Sequence, residues 1–87
     1  MIINLYAIYD SKAEAYLMPF FMQNDGILHR TALDTLQDPS SLFAKHPEDY
    51  IMYHLGTYDD QSGLVLPFDV PKVLWKFIDL KPPQEET

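Results

Sequence analysis

The side chains that could do chemistry in this chain fall into three sets, each suited to a different ligand or reaction. His29, His46 and His54 are scattered, and no two stand at metal-ligand spacing. His46 with Asp49, Asp59 or Asp60 is the combination that imidazole and carboxylate chemistry would allow, but the Asp59-Asp60 pair lacks the late glutamate of an EF-hand loop. A solvated loop histidine and a hydrated acidic turn account for the same residues. Ser11, Ser40, Ser41 and Ser62 sit among turn-forming neighbours, where hydroxyls satisfy backbone groups, and no triad or carboxylate dyad accompanies them. Gly26, Gly56 and Gly63 are isolated, so no phosphate-cradling loop exists. No catalytic residue, metal or cofactor is expected, and the chain does not read as an enzyme.

The third set, rings near cations, is more informative. Proteins that hold single strands combine aromatic side chains that stack on bases, at roughly 1–3 kcal/mol per base, with cations that follow the backbone. Tyr6, Tyr9, Tyr16, Tyr53, Tyr58 and Trp75 are the rings, and Lys12, Arg30, Lys45, Lys72 and Lys76 the cations. The set expected to touch nucleic acid is Lys12, Tyr16, Arg30, Lys45, His46, Tyr53, Lys72, Trp75 and Lys76. For any one of these the plainer assignment, a core ring or a scattered surface charge, competes. The net charge of −7, from 13 acids against 6 Lys and Arg, opposes binding by phosphate neutralisation alone.

The elements that must position these residues follow from hydrophobic period. Residues 2–9 alternate as a strand apolar on both faces, which suits a central position. Asp10-Ser11-Lys12 breaks it into a loop or single turn at 10–15. Residues 16–22 are apolar and interrupted by Pro19, as on an edge strand, with Tyr16, Phe20 and Phe21 assigned mainly to the core. Asn24-Asp25-Gly26 caps a helix over 25–37, with Leu28, Ala32 and Leu36 on its inner face and Arg30 and Asp34 as a surface pair. Asp38-Pro39 ends it. Leu42 and Phe43 should tuck beneath the following loop. A second strand over 50–58 puts Tyr50, Met52, His54 and Gly56 on one face and Ile51, Tyr53, Leu55 and Thr57 on the other. Asp59 to Gly63 makes a hairpin loop to a third strand at 64–68. Residues 72–80 fit an extended segment or a short helix, with extended preferred, and 81–87 read as a disordered polar tail.

These elements predict a single α+β domain over residues 1–80: a small antiparallel sheet of three to five strands with one α-helix on one face. The alternative is an OB-like five-stranded barrel. The absence of cysteine suits a reducing cytoplasm and excludes a disulfide scaffold. The apolar start meets Asp10 too early for a leader or a membrane span, so no membrane is expected. A chain this short buries only roughly 60–65% of its unfolded surface, and with twelve aromatics it predicts a homodimer.

Two stretches, LYAIYDSKAEAYLMPFF and DPSSLFAKHPEDYIMYHLGTYDDQSG, resemble the small nonstructural protein of gokushoviruses, tailless Microviridae phages with circular single-stranded DNA. The matching positions include Asp10, Lys12, Ala15, Tyr16, Pro19 and Phe20, then Lys45, His46, Pro47, Asp49, Tyr50, Gly56, Asp59, Asp60 and Gly63. The resemblance implies a bacteriophage protein of the host cytoplasm, missing from the mature capsid, that binds single-stranded DNA in genome replication or in the switch to packaging. The helix departs from a DNA-gripping pattern in carrying only Arg30 as a strong cation. Two other expectations stand beside it. One is a factor acting on the replication initiator, a host protein or the procapsid without touching DNA, and the other is a metal-dependent enzyme of nucleic acid.

Overall fold

The computed structural model describes residues 1–80, so the expected disordered tail at 81–87 lies outside the described residues. Its centre is β1 (Ile2–Asp10), flanked on one side by β4 (Tyr50–Asp59) and on the other by two short pieces, β2 (Ala15–Tyr16) and β3 (Phe20–Met22). Those pieces are one edge strand broken at Pro19, and the Leu17 amide still donates to the Ile8 carbonyl between them (2.8 Å). β5 (Leu64–Lys76) pairs with β4 and forms the opposite edge. Every pairing is antiparallel, and the five strands curl into a half-barrel with one main helix, α1 (Asp25–Leu36). The α+β expectation is borne out. Closure into an OB-like barrel does not occur among the described residues, because β5 and the β2–β3 side both remain edges.

The helix begins where Asn24 accepts a hydrogen bond from the Ile27 amide (2.9 Å), relieving one of the unpaired donors of the first turn. It buries Leu28 and Ala32 against Tyr6 and Ile8 of β1 and Tyr50 and Met52 of β4. Phe43, from the short helix α2 (Leu42–Lys45), closes one end of this core, stacked on Phe77 (centroids 5.0 Å) and edge-on to Tyr50 (4.8 Å). Leu42 was expected beneath the loop with Phe43 but is exposed, since α2 turns only one side inward. Arg30 and Asp34 form no ion pair; among the described residues, those found join the Met1 ammonium to Asp59 and Asp60.

Register shifts correct two alternation patterns. Leu5 pairs with Gly56 but Tyr6 pairs with His54, leaving Leu55 as an extra residue on β4. Such a bulge flips the strand's faces, so Gly56 lies in the same phase as Tyr53 rather than His54. On β5, Trp75 pairs with Met52 and Val73 with Tyr53, so Leu74 is extra and Trp75 and Val73 point to opposite faces. Between Lys72, opposite His54, and Pro67, opposite Gly56, residues 68–71 loop out of the ladder. The extended preference for the final segment holds through Lys76; a 3-10 turn at Phe77–Asp79 then drops Phe77 into the core.

Candidate nucleic-acid interface

Alternation and register give the sheet two different sides. The side bearing α1 carries Tyr6, Ile8, Tyr50 and Met52, all buried. The opposite side is not covered by the helix, and one transverse row crosses it through four strands: Tyr16 on β2, Tyr9 on β1, Ile51 on β4 and Lys76 on β5. At about 4.8 Å per strand the row runs roughly 14 Å from Tyr16 to Lys76. The next row brings Tyr53 beside Ala7 and Val73. Tyr9, Tyr16 and Tyr53 meet as a three-ring cluster: Tyr9 to Tyr16 at 5.0 Å, Tyr16 to Tyr53 at 5.4 Å and Tyr9 to Tyr53 at 6.3 Å, all edge-to-face. They shield Ala7 beneath them, which is 1% exposed. Farther along the same side, Phe21 and Tyr58 make a second ring pair at 5.4 Å.

Such a surface offers ring faces and edges for stacking, with phenol hydroxyls at its rim. Tyr16 is 44% exposed, and the crowding of its ring by its neighbours, with Tyr53 and Tyr9 adding repulsion between phenolates, pushes its phenol up from the ordinary value. Tyr16 is therefore held in its neutral form and adds no negative charge where a phosphate backbone would run.

The cations divide. Lys76 lies on the open side, opposite Ile51. Lys12 is exposed in the turn between β1 and β2, where Glu14 takes a left-handed φ of 56°. That turn is tied to the 3-10 turn Pro47–Asp49, because the Ser11 amide and hydroxyl both donate to the Asp49 carbonyl (2.9 Å each). Lys45 and His46, both exposed, thus lie at the same end of the sheet as Lys12 and the Tyr9–Tyr16 pair. The structure gathers Lys12, Tyr16, Lys45, His46, Tyr53 and Lys76 about one side and one end.

Three members of the expected set lie elsewhere. Arg30 projects from α1 beside a hollow lined by Asn24, Gly26, Ile27 and Thr31, across the sheet from the tyrosines. Lys72 is placed opposite His54, in the phase of the helix-bearing side. Trp75 is no exposed stacking ring: it packs on the core and meets His29 edge-on at 5.3 Å, and its indole N–H is buried without a partner. Tyr6, another candidate ring, is fully buried, donates to Asp25 Oδ1 (2.6 Å) and stacks on His54 (4.8 Å). Tyr9 belongs to the cluster although it was outside the selected set; its phase, shared with Ala7, was readable, whereas its meeting with Tyr16 depends on hairpin register.

The metal combination separates in the same way. Ligand atoms of His46, Glu48 and Asp49 come within 4.8 Å of one another, while Asp59 and Asp60 lie at the far end of β4, about 30 Å away for a strand of this length. Asp59 is engaged in shaping the hairpin turn: its carboxylate accepts from the Gln61 amide (2.9 Å), which holds its pKa below the usual carboxylate value.

The fold and this surface define a small α+β protein whose curled sheet is closed by a helix on one side and presents aromatic side chains on the other. Among the described residues no helix is long and apolar enough to cross a membrane. The chain belongs to the phage ORF5 protein family, whose model matches residues 3–80. No curated protein and no solved structure matches it.

Proposed function

We propose that this phage protein binds single-stranded DNA through the open side of its sheet, acting in the host cytoplasm during genome replication or the switch to packaging. The observation that carries the reading is the Tyr9–Tyr16–Tyr53 cluster, two of whose rings, Tyr9 and Tyr16, share a cross-strand row with Lys76. Rings for two or three bases lie on the same side as a cation at the opposite margin, with Lys12, Lys45 and His46 at the adjoining end. The gokushovirus likeness of residues 38–63 supports the same role. With a net charge of −7, affinity rests on stacking more than on phosphate contacts, so binding is modest and only a few counterions are released. The action is binding rather than catalysis, and nuclease turnover with added Mg²⁺ or Mn²⁺ would overturn that part.

Anisotropy of a labelled oligonucleotide tests the reading at two salt concentrations. Tens of micromolar protein should bind at about 50 mM salt, and Tyr16→Ala should weaken binding by about 5- to 150-fold, the equivalent of losing one stacked base. No binding under those conditions would refute it. A second reading, contact with a replication initiator, host factor or procapsid protein without DNA, draws on the acidity and on the exposed apolar side chains of β5. Association with phage proteins that survives nuclease would favour it. A homodimer accompanies the first reading.

A further inference from the structure

The half of the sheet farthest from α2 is an arm. The radius of gyration is 14.0 Å, against about 12 Å for a compact chain of this length, and the longest dimension is 48 Å. On the helix-bearing side of this arm the cover stops near the Tyr6–His54 row. Beyond it Ile2, Leu64, Leu66, Phe68 and Val70 are 56, 58, 57, 38 and 71% exposed. Exposure of that extent amounts to roughly 500 Å² of mostly apolar surface, as much as the largest patch on a typical monomer.

We propose that this surface is where two copies of the chain meet about a two-fold axis, which deepens the homodimer named above by assigning its interface. Three features point to a second copy. The patch of roughly 500 Å² supplies more than half of the about 800 Å² per partner of a standard interface. The looped-out residues of β5 form an open hollow of about 340 Å³ lined by Phe68, Asp69, Val70 and Lys72, on the same strand as exposed Leu64 and Leu66, so one strand offers both apolar side chains and a hollow. The hollow also holds one acid and one base, and neither Asp69 nor Lys72 is ion-paired among the described residues. A two-fold axis passing between the two residues would set each Asp69 against the other copy's Lys72, a reciprocal pairing of the kind an isologous contact allows. Pro67 and Pro71 remove two donors from the β5 edge and oppose strand-to-strand extension, so the copies join by side-chain packing.

Light scattering on the full chain at about 100 µM, without DNA, tests this. Twice the 10.1 kDa chain mass is expected. Leu66→Lys, checked for folding by circular dichroism, should weaken association about 100-fold and give the single-chain mass. Asp69→Lys and Lys72→Asp should each weaken it about tenfold, and the double variant should restore it, because swapping both charges preserves the reciprocal pairs. A single-chain mass for the unaltered protein would overturn the proposal and leave the face to a partner of another sequence. An unchanged dimer in Leu66→Lys, or a double variant no tighter than the singles, would also overturn it. Since no DNA is present, failure here is separable from failure of the DNA reading.

Discussion

Tyr6 and Tyr53 stand on neighbouring strands of one sheet and differ only in which side they take. Tyr6, under the helix, has 0% exposure, a hydrogen bond to Asp25 and stacking contact with His54. Tyr53 leans on Tyr9 and Tyr16, and the hydroxyls of these three have no protein partner among the described residues. A buried phenol must be satisfied by the protein, whereas a surface phenol leaves its hydroxyl to water or a ligand. The first side is thus built for stability and the second tolerates change. Phe77→Ala, which empties a core site 2% exposed and stacked on Phe43, should cost about 3–5 kcal/mol in denaturant unfolding. Tyr53→Ala should cost about 1 kcal/mol. Equal losses would end the distinction between the two sides.

The arm depends on backbone approach more than on burial. At Gly56 an added Cβ would lie 2.3 Å from the Leu66 carbonyl oxygen and 2.7 Å from Pro67 Cα, and neither backbone atom yields easily. Gly56→Ala should therefore cost about 1–3 kcal/mol by prying β5 from β4. Gly63, at φ +77° with nothing within 4 Å of the methyl an alanine would bring, should lose only about 1 kcal/mol on that substitution, from backbone strain alone. Amide exchange across Leu64 to Leu66 separates the two: it should quicken in the first variant and change little in the second. The reverse order would mean that the hairpin turn, and not the close approach, holds the arm.

Much of this architecture was legible in period and punctuation. Asn24 and Asp38-Pro39 bounded the helix, Pro19 marked a broken edge strand, and Asp59 to Gly63 announced the hairpin. Phases held only up to the bulges. Leu55 and Leu74 look like any other strand residues, and an extra residue declares itself only when two strands are aligned, so the facing of Gly56 and of Trp75 could not be read from one strand at a time. The candidate site suffered more. Tyr16 and Tyr53 stand out individually, but their meeting with Tyr9 is a product of three-strand register, and the alternation that would expose Trp75 fails because it runs through Leu74.

The helix-bearing side also carries a sensitivity of stability to alkali. Burial, and then the hydrogen bond to the Asp25 carboxylate, push the Tyr6 phenol well above its ordinary value. Tyr6 must stay protonated when folded and ionises readily only when unfolded, so its stabilising contribution is complete below about pH 10 and is lost as pH rises toward the folded value. Tyr6→Phe should cost about 1 kcal/mol at neutral pH through the lost hydrogen bond and should flatten the alkaline fall in stability. An alkaline limb as steep as in the unaltered protein would show that the titration belongs to other groups, and the folded position of Tyr6 would no longer explain it.

The smallest expected effect is the most specific to the open side. If Lys76 neutralises one phosphate at the end of the Tyr16–Tyr9–Ile51 row, Lys76→Gln should lower the slope of log affinity against log salt by about 0.7 and barely alter affinity at high salt. Tyr16→Ala should do the converse, lowering affinity at every salt concentration with the slope unchanged, because stacking releases no counterions. Arg30→Gln, on the helix-bearing side, should change neither. A slope that fell with Arg30 and not with Lys76 would move the nucleic acid to the helix face, where the rings are buried and base stacking has no platform.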